Sequence, residues 1–173
     1  FDSQILAQLK SFDFTRLIFI ESESKKIGSV RVPDKLIERM WASPCLRLET
    51  PIHLRIALLR DDYAHFIHHP ERLHTLLLRL KGTHSNAQIT HWQALCETRA
   101  WDALITELLE QHYDSAYNKS IYSHYANYTD AAQLVLSNPA DSGFTQLAHE
   151  TLALVDNFVN NADTPFKPIL KKP

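Results

Sequence analysis

Hydrophobic patterning along the chain predicts a helix-rich α/β protein. Residues 17–20 form an uninterrupted apolar run, which is typical of a strand that is covered on both faces in a parallel sheet. Residues 45–49 and 132–136 have the composition of two further short strands. We therefore expect a partial parallel sheet of about three strands with helices between them.

Apolar residues at helical spacing predict where the helices lie. Residues 1–9 open in an amphipathic pattern, and Pro33 precedes a second helix. Pro51 begins a long third helix whose apolar stripe reaches Phe66, and residues 142–160 form the last helix. Three helices in between are expected to supply the core through Leu73, Leu76, Leu77, Leu80, Ile89, Trp92, Leu95, Cys96, Trp101, Leu104, Ile105, Leu108 and Leu109.

These elements divide the chain into three predicted parts. Residues 1–66 and 129–162 contain the strands and are expected to form a partial α/β domain. Residues 67–128 form a large helical insertion. Residues 163–173, with three prolines and three lysines, are predicted to be a mobile tail.

Composition bounds the possible functions. The 173 residues, 45% of them apolar, suffice for one globular core. The formal charge of −2 gives no overall positive field, so binding of nucleic acid would depend on a local basic patch. No apolar run approaches the ~20 residues that span a bilayer, and the first residues do not resemble a signal peptide. We therefore expect a cytoplasmic protein without a membrane partner.

Cysteine and histidine usage predicts no metal site. Cys45 and Cys96 are isolated and lack Cys-x-x-Cys spacing, as is usual in a reducing compartment. His65 and His69 share a helix face and could hold a metal ion, but the nearest acidic residues lie one turn earlier. A solvated helix end is the favoured interpretation of these histidines.

Two carboxylates follow the predicted strand at residues 17–20. Glu21, Glu23 and Ser24 would lie at the carboxyl end of that strand, where open α/β sheets place their ligand crevice. Side chains there could handle a proton, a phosphate group or a metal ion. The alternative is that the two glutamates only end the strand and point into water.

Basic residues come next along the chain. Lys25, Lys26 and Arg31 form its densest basic cluster before the tail and could bind a phosphate donor or RNA, or could simply form a solvated loop. Arg55 lies early in the helix after Pro51, where an arginine can face a crevice and bind phosphate. A solvated or ion-paired arginine is the alternative.

A short polar and aromatic run at residues 112–117 contains a possible pocket. Tyr113, Asp114 and Tyr117 are its candidate residues, although Asp114 could instead cap the amino terminus of the next helix. The tyrosines of this region, at 113, 117, 122, 125 and 128, could stack on bases or line an apolar pocket, and both interpretations stay open.

The segment Glu21-Ser22-Glu23-Ser24-Lys25-Lys26-Ile27-Gly28, followed by Val-Arg-Val-Pro at residues 30–33, resembles a motif of the tRNA 2-selenouridine synthases. Pro51 with Arg55, Tyr63, and the run at residues 112–117 are similar to later motifs of that family in the same order. The resemblance extends over most of residues 1–128. Lys25 departs from it, because the family usually has arginine there.

The resemblance implies a P-loop-type sheet and a tRNA-modifying transferase. Such an enzyme converts wobble 2-thiouridine to 2-selenouridine through a geranylated intermediate, with geranyl diphosphate and selenophosphate as substrates. Catalytic roles would fall to Glu21 and Glu23, and phosphate or tRNA binding to Ser24, Lys25, Lys26, Arg31 and Arg55. The resemblance leaves the need for magnesium open.

The same resemblance implies that a P-loop segment and a rhodanese-like domain precede Phe1. No Gly-x-x-x-x-Gly-Lys-Ser/Thr motif occurs in the chain. We therefore expect the carboxyl-terminal part of a larger enzyme, inactive alone and without a bound cofactor. The alternatives are a fragment of a P-loop nucleotide kinase or ATPase, and a helical interaction module without an active site.

Overall fold

The structure, a computed structural model, describes residues 1–13, 15–22 and 25–160. For residues 158–160 it describes only the backbone. Its helices are α1 (Asp2–Lys10), α2 (Asp34–Trp41), α3 (Ile52–Asp62), α4 (Ala64–His68), α5 (Pro70–Leu77), α6 (Asn86–Glu97), α7 (Trp101–Leu108), α8 (Asp114–His124) and α9 (Asp141–Asn160). Its strands are β1 (Lys26–Ile27), β2 (Val30–Arg31), β3 (Leu46–Glu49) and β4 (Ala132–Val135). Glu23, Ser24 and the predicted tail at residues 163–173 lie outside the described residues.

The chain divides into two compact units. Among the described residues, the first unit contains those within 1–47 and 117–132, and the second contains those within 48–116 and 133–160. The division predicted from the sequence, with boundaries at residues 66 and 129, stays a prediction. None of the helices in the described part of the chain combines the length and the hydropathy needed to cross a membrane.

The first unit contains a small hairpin that precedes α2. Strands β1 and β2 are antiparallel, with Lys26 opposite Arg31 and Ile27 opposite Val30. Gly28 has φ +60° at the first of the two turn residues, a backbone conformation that glycine adopts without steric cost and that short hairpins require. The chain then enters α2 after Pro33, as predicted.

The strand predicted at residues 17–20 is wrong. These residues have no regular secondary structure, and their side chains are 36% to 55% exposed. A strand buried on both faces needs hydrogen-bonded neighbours, and the strands of the described residues pair only as β1 with β2 and β3 with β4. Residues 17–20 are apolar, but the burial of such a run depends on partner strands that the run itself cannot specify.

The second unit contains the main hydrophobic core, and the sequence predicted it well. Leu77, Ile89, Trp92, Cys96, Trp101 and Leu104 form one buried cluster, with Leu73, Leu80, Leu95 and Leu108 packed against it. The helix after Pro51 was expected to be continuous, but it is interrupted at Tyr63 (φ −105°, ψ 24°), which separates α3 from α4.

A Schellman motif closes α6 and turns the chain into α7. The amide of Ala100 donates to the carbonyl of Leu95, and the amide of Arg99 donates to that of Cys96. Arg99 has φ +57°, the left-handed conformation that the motif requires. The π-helical turn Leu109–Tyr113 then joins α7 to α8 without a break.

Strands β3 and β4, both predicted, form a two-stranded parallel sheet. The amide of Leu136 extends the pairing by donating to the carbonyl of Glu49 at 2.9 Å. Leu134 and Leu136 pack with Leu147 of α9 in a second, smaller buried cluster. The described part of the chain is therefore helix-rich with a small parallel sheet, which has two strands where about three were expected.

Candidate functional site

Arg55 and Asp114 form a two-pronged ion pair in the second unit. Arg55 lies in the first half of α3, and its Nη1 and Nη2 donate to the two carboxylate oxygens of Asp114 at 2.9 and 2.6 Å. The side chains are 25% and 31% exposed, so the pair is partly withdrawn from water. The hydrogen bonds to Asp114 raise the pKa of the Arg55 guanidinium, which burial lowers in part. Arg55 is thus a fixed positive charge whose fork is held by a carboxylate.

Asp114 does not cap a helix amino terminus. Its backbone is helical (φ −64°, ψ −38°), whereas a capping residue has extended torsion angles. The helical path runs into α8 from the preceding π-helical turn, so the amides near Asp114 are not those of a free helix end. The prediction that Asp114 could cap a helix is therefore wrong, and its carboxylate instead accepts two hydrogen bonds from Arg55.

Tyr117 contacts the acidic segment within the first unit. The hydroxyl groups of Ser22 and Tyr117 lie 2.8 Å apart, close enough for a hydrogen bond in which either can donate. Glu21 precedes this contact, is exposed and lies outside regular secondary structure. Glu23 and Ser24 lie outside the described residues, so their roles stay predictions.

The basic cluster lies on and beside the hairpin. The Nζ atom of Lys25 is 2.6 Å from a carboxylate oxygen of Asp34, and this contact lowers the pKa of Asp34. Lys26 and Arg31 are direct cross-strand partners, and both are exposed. Like charges opposite each other destabilise a strand pair unless an anion or solvent screens them. The hairpin therefore concentrates positive charge in a chain whose formal charge is −2.

Neither metal nor thiol chemistry is supported by the described residues. Within them, no three or more His, Cys, Asp or Glu side chains lie together in a group that could hold a metal ion. Burial raises the pKa of the thiols of Cys45 and Cys96, which favours the protonated form over the nucleophilic thiolate.

Sequence reasoning missed both pairings of the run at residues 112–117. Asp114 was considered without Arg55, and Tyr117 without Ser22, although all four residues lie in segments that carry the family resemblance. Residue types alone give no signal for contacts this distant along the chain. The shared resemblance of the segments was the only signal that could have suggested them.

Comparison with known protein families finds a match in the amino-terminal part of the chain. Residues 1–75 match the model of an AAA domain. That domain is the tRNA 2-selenouridine synthase AAA domain, so the resemblance found in the sequence is confirmed for this part of the chain. The matched region contains Glu21, the basic cluster and Arg55, whereas residues 112–117 lie beyond it. No solved structure matches the chain.

Proposed function

We propose that this chain is part of an enzyme that converts wobble 2-thiouridine of tRNA to 2-selenouridine. The observation that carries the proposal is the match of residues 1–75 to the tRNA 2-selenouridine synthase AAA domain. The proposed reaction passes through a geranylated intermediate and uses geranyl diphosphate and selenophosphate. The P-loop-type fold and the preceding rhodanese-like domain that the resemblance implies belong to this proposal.

The substrates of this reaction suit the basic cluster. Geranyl diphosphate, selenophosphate and the tRNA backbone are all anionic, and charge-assisted hydrogen bonds from lysine and arginine are the usual means of binding them. In the proposal Lys26 and Arg31 contact phosphate from the hairpin, and Lys25 does so in competition with Asp34. The local placement of these charges supports RNA binding in spite of the negative net charge.

The two carboxylates are the proposed acid and base. A positioned acid or base contributes roughly 10²–10⁴ in rate, so Glu23→Gln in the full-length enzyme should lower selenouridine formation by about that factor. Glu21→Gln tests the second carboxylate, and Glu110→Gln, an exposed position on the helical segment after α7, is the matched control. Mass spectrometry of nucleosides from 2-thiouridine-containing tRNA measures the product. Full activity of both Glu21→Gln and Glu23→Gln would refute the assignment.

Binding experiments test the basic cluster separately from catalysis. Replacing Lys25 and Lys26 together by alanine should weaken binding of tRNA or the phosphate donors by about 1–3 kcal/mol, the range for lost charge-assisted hydrogen bonds. Lys25→Arg should bind at least as well as the parent, because a guanidinium fork fits phosphate better than an ammonium group. Unchanged binding by the double variant would exclude a role of Lys25 and Lys26 in binding tRNA or the phosphate donors.

The chain of 173 residues should not catalyse the reaction by itself. We expect no geranyl or selenium transfer, and weak tRNA binding that falls as salt rises, because lysine and arginine contacts to phosphate release counterions. Robust transfer by this chain would contradict the proposal that further segments are needed. Nucleotide hydrolysis without tRNA modification by the full-length protein would instead favour the kinase or ATPase alternative.

A further inference from the structure

Tyr122 presents an exposed ring in a small cluster of the first unit. With 58% of its surface exposed, it is the most exposed tyrosine of the described residues. Its ring meets that of Tyr128 edge to face, with centroids 5.3 Å apart and an interplanar angle of 85°. The guanidinium carbon of Arg47 lies 4.9 Å from the centroid of the Tyr128 ring. We call Arg47, Tyr122 and Tyr128 the Tyr122 cluster.

Neighbouring contacts hold the chain segment that carries the cluster. The imidazole of His124 stacks on the indole of Trp41 with centroids 4.4 Å apart and an interplanar angle of 26°. The side-chain amide of Asn127 donates to the carbonyl groups of Ala42 and Ser43 at 3.4 and 3.3 Å. These contacts hold the segment between Tyr122 and Tyr128 in place. A ligand that contacts these rings would not have to order them, which lowers the entropic cost of binding.

Charge distinguishes this cluster from Tyr63, another exposed tyrosine with aromatic neighbours. Tyr63 lies near Phe66 with parallel rings, but Asp61 and Asp62 immediately precede it. Tyr122 has the exposed Lys119 three residues earlier, on the same face of α8, and Arg47 lies over the ring of the neighbouring Tyr128. An exposed ring beside positive charge is the combination with which proteins bind unpaired nucleic acid.

We propose that the exposed face of Tyr122 stacks on an unpaired nucleobase of RNA, with Lys119 contacting the adjacent phosphate. The Tyr128 ring meets the Tyr122 ring edge to face, and Arg47 lies over the Tyr128 ring. Stacking tolerates any base because every base has a π-face, so the surface would bind single-stranded RNA without reading its sequence. The identity of that RNA as tRNA rests on the proposed function, whereas the stacking surface rests on the geometry of the cluster.

The test compares an RNA stem-loop that has unpaired loop bases with a fully paired hairpin of equal length. Fluorescence anisotropy with the full chain should show that Tyr122→Ala weakens stem-loop binding by about 5- to 150-fold, the range for loss of one stacked base. Tyr122→Phe keeps the ring and should stay within about twofold of the parent. Binding of the paired hairpin should change little in either variant, because it offers no unstacked base.

Further variants separate stacking from charge. Tyr122→Ala removes no charge and should leave the salt dependence of RNA binding unchanged. Lys119→Ala should reduce the slope of the logarithm of the binding constant against the logarithm of the salt concentration by about one counterion. Tyr63→Ala is the matched control for loss of an exposed ring and should bind as the parent does. Circular dichroism confirms that the variants are folded.

Two results would overturn the inference in different ways. Stem-loop binding that is unchanged by Tyr122→Ala would overturn the stacking surface alone and would point to a protein partner for the cluster. Absence of binding of either RNA by the parent chain would overturn both the surface and the proposed RNA partner. Equal weakening for the stem-loop and the paired hairpin would also refute stacking on an unpaired base.

Discussion

The ion pair between Arg55 and Asp114 should contribute measurably to folding. Surface pairs typically contribute ~0–1 kcal/mol, whereas breaking a buried pair costs ~3–5 kcal/mol. With side chains 25% and 31% exposed and both carboxylate oxygens engaged, this pair lies between the two limits. We expect Arg55→Ala to lower the free energy of unfolding by about 1.5–3 kcal/mol, since water can replace only part of what Asp114 loses.

A double-mutant cycle isolates the pairwise contribution. Arg55→Ala, Asp114→Ala and the double variant should give a coupling energy of about 1–2 kcal/mol in urea denaturation at neutral pH. Arg60 and Asp102 provide a matched control cycle in the same unit, because their pair has one contact at 2.8 Å and side chains that are 48% and 65% exposed. The control coupling should be at most ~0.5 kcal/mol.

The pH dependence and a conservative variant sharpen this test. Because the pKa of Arg55 is raised on folding, its stabilising contribution is complete below the unfolded pKa and is lost only in strong alkali. The coupling should therefore be constant from neutral to mildly alkaline pH. Arg55→Lys should retain about half of it, since an ammonium group cannot form the two-pronged contact. A coupling no larger than that of the control cycle would refute the reasoning.

Two further predictions concern the second unit. The hydrogen bond from His91 is the main cause that lowers the pKa of Glu107, and the hydrogen bond from Trp92 adds to it. The free energy of unfolding should therefore fall as pH drops below the ordinary pKa of 4.5. Glu107→Gln should reduce that fall in denaturation curves recorded across acidic pH. Gly143→Ala should lower the free energy of unfolding by about 1–3 kcal/mol, because a Cβ atom there would clash with backbone atoms of residue 138. Gly82→Ala should change the stability little, because a Cβ atom there would meet no atom within 4 Å. An equal stability loss for the two alanine variants would contradict the packing argument.

Sequence reasoning succeeded where structure depends on local spacing. The core helices were predicted because buried residues such as Ile89, Trp92 and Cys96 of α6 repeat at helical intervals within a single element. Pro33 marked the start of α2 because its fixed φ suits the entry to a helix. In each case neighbouring residues carry the information that the fold uses.

The failures arose where structure depends on distant partners. Arg55 and Asp114 are 59 residues apart, and nothing in the spacing around either residue indicates the other. The apolar run at residues 17–20 has the pattern of a buried strand, but pairing with neighbouring strands decides whether such a run becomes one. The interruption of the helix at Tyr63 had no glycine or proline to signal it.

The exposure of residues 17–20 bears directly on the proposed catalysis. A general acid or base must be held within hydrogen-bond reach of the proton it transfers. Glu21 is exposed and follows four exposed apolar residues outside regular structure, so within the described residues no packed element orients its carboxylate. Ser22 is the nearest residue with a defined tertiary contact, through Tyr117. Under the proposed function, catalysis by Glu21 therefore requires that the apolar run be covered, and the proposal for this reason predicts transfer from a full-length enzyme and not from this chain alone.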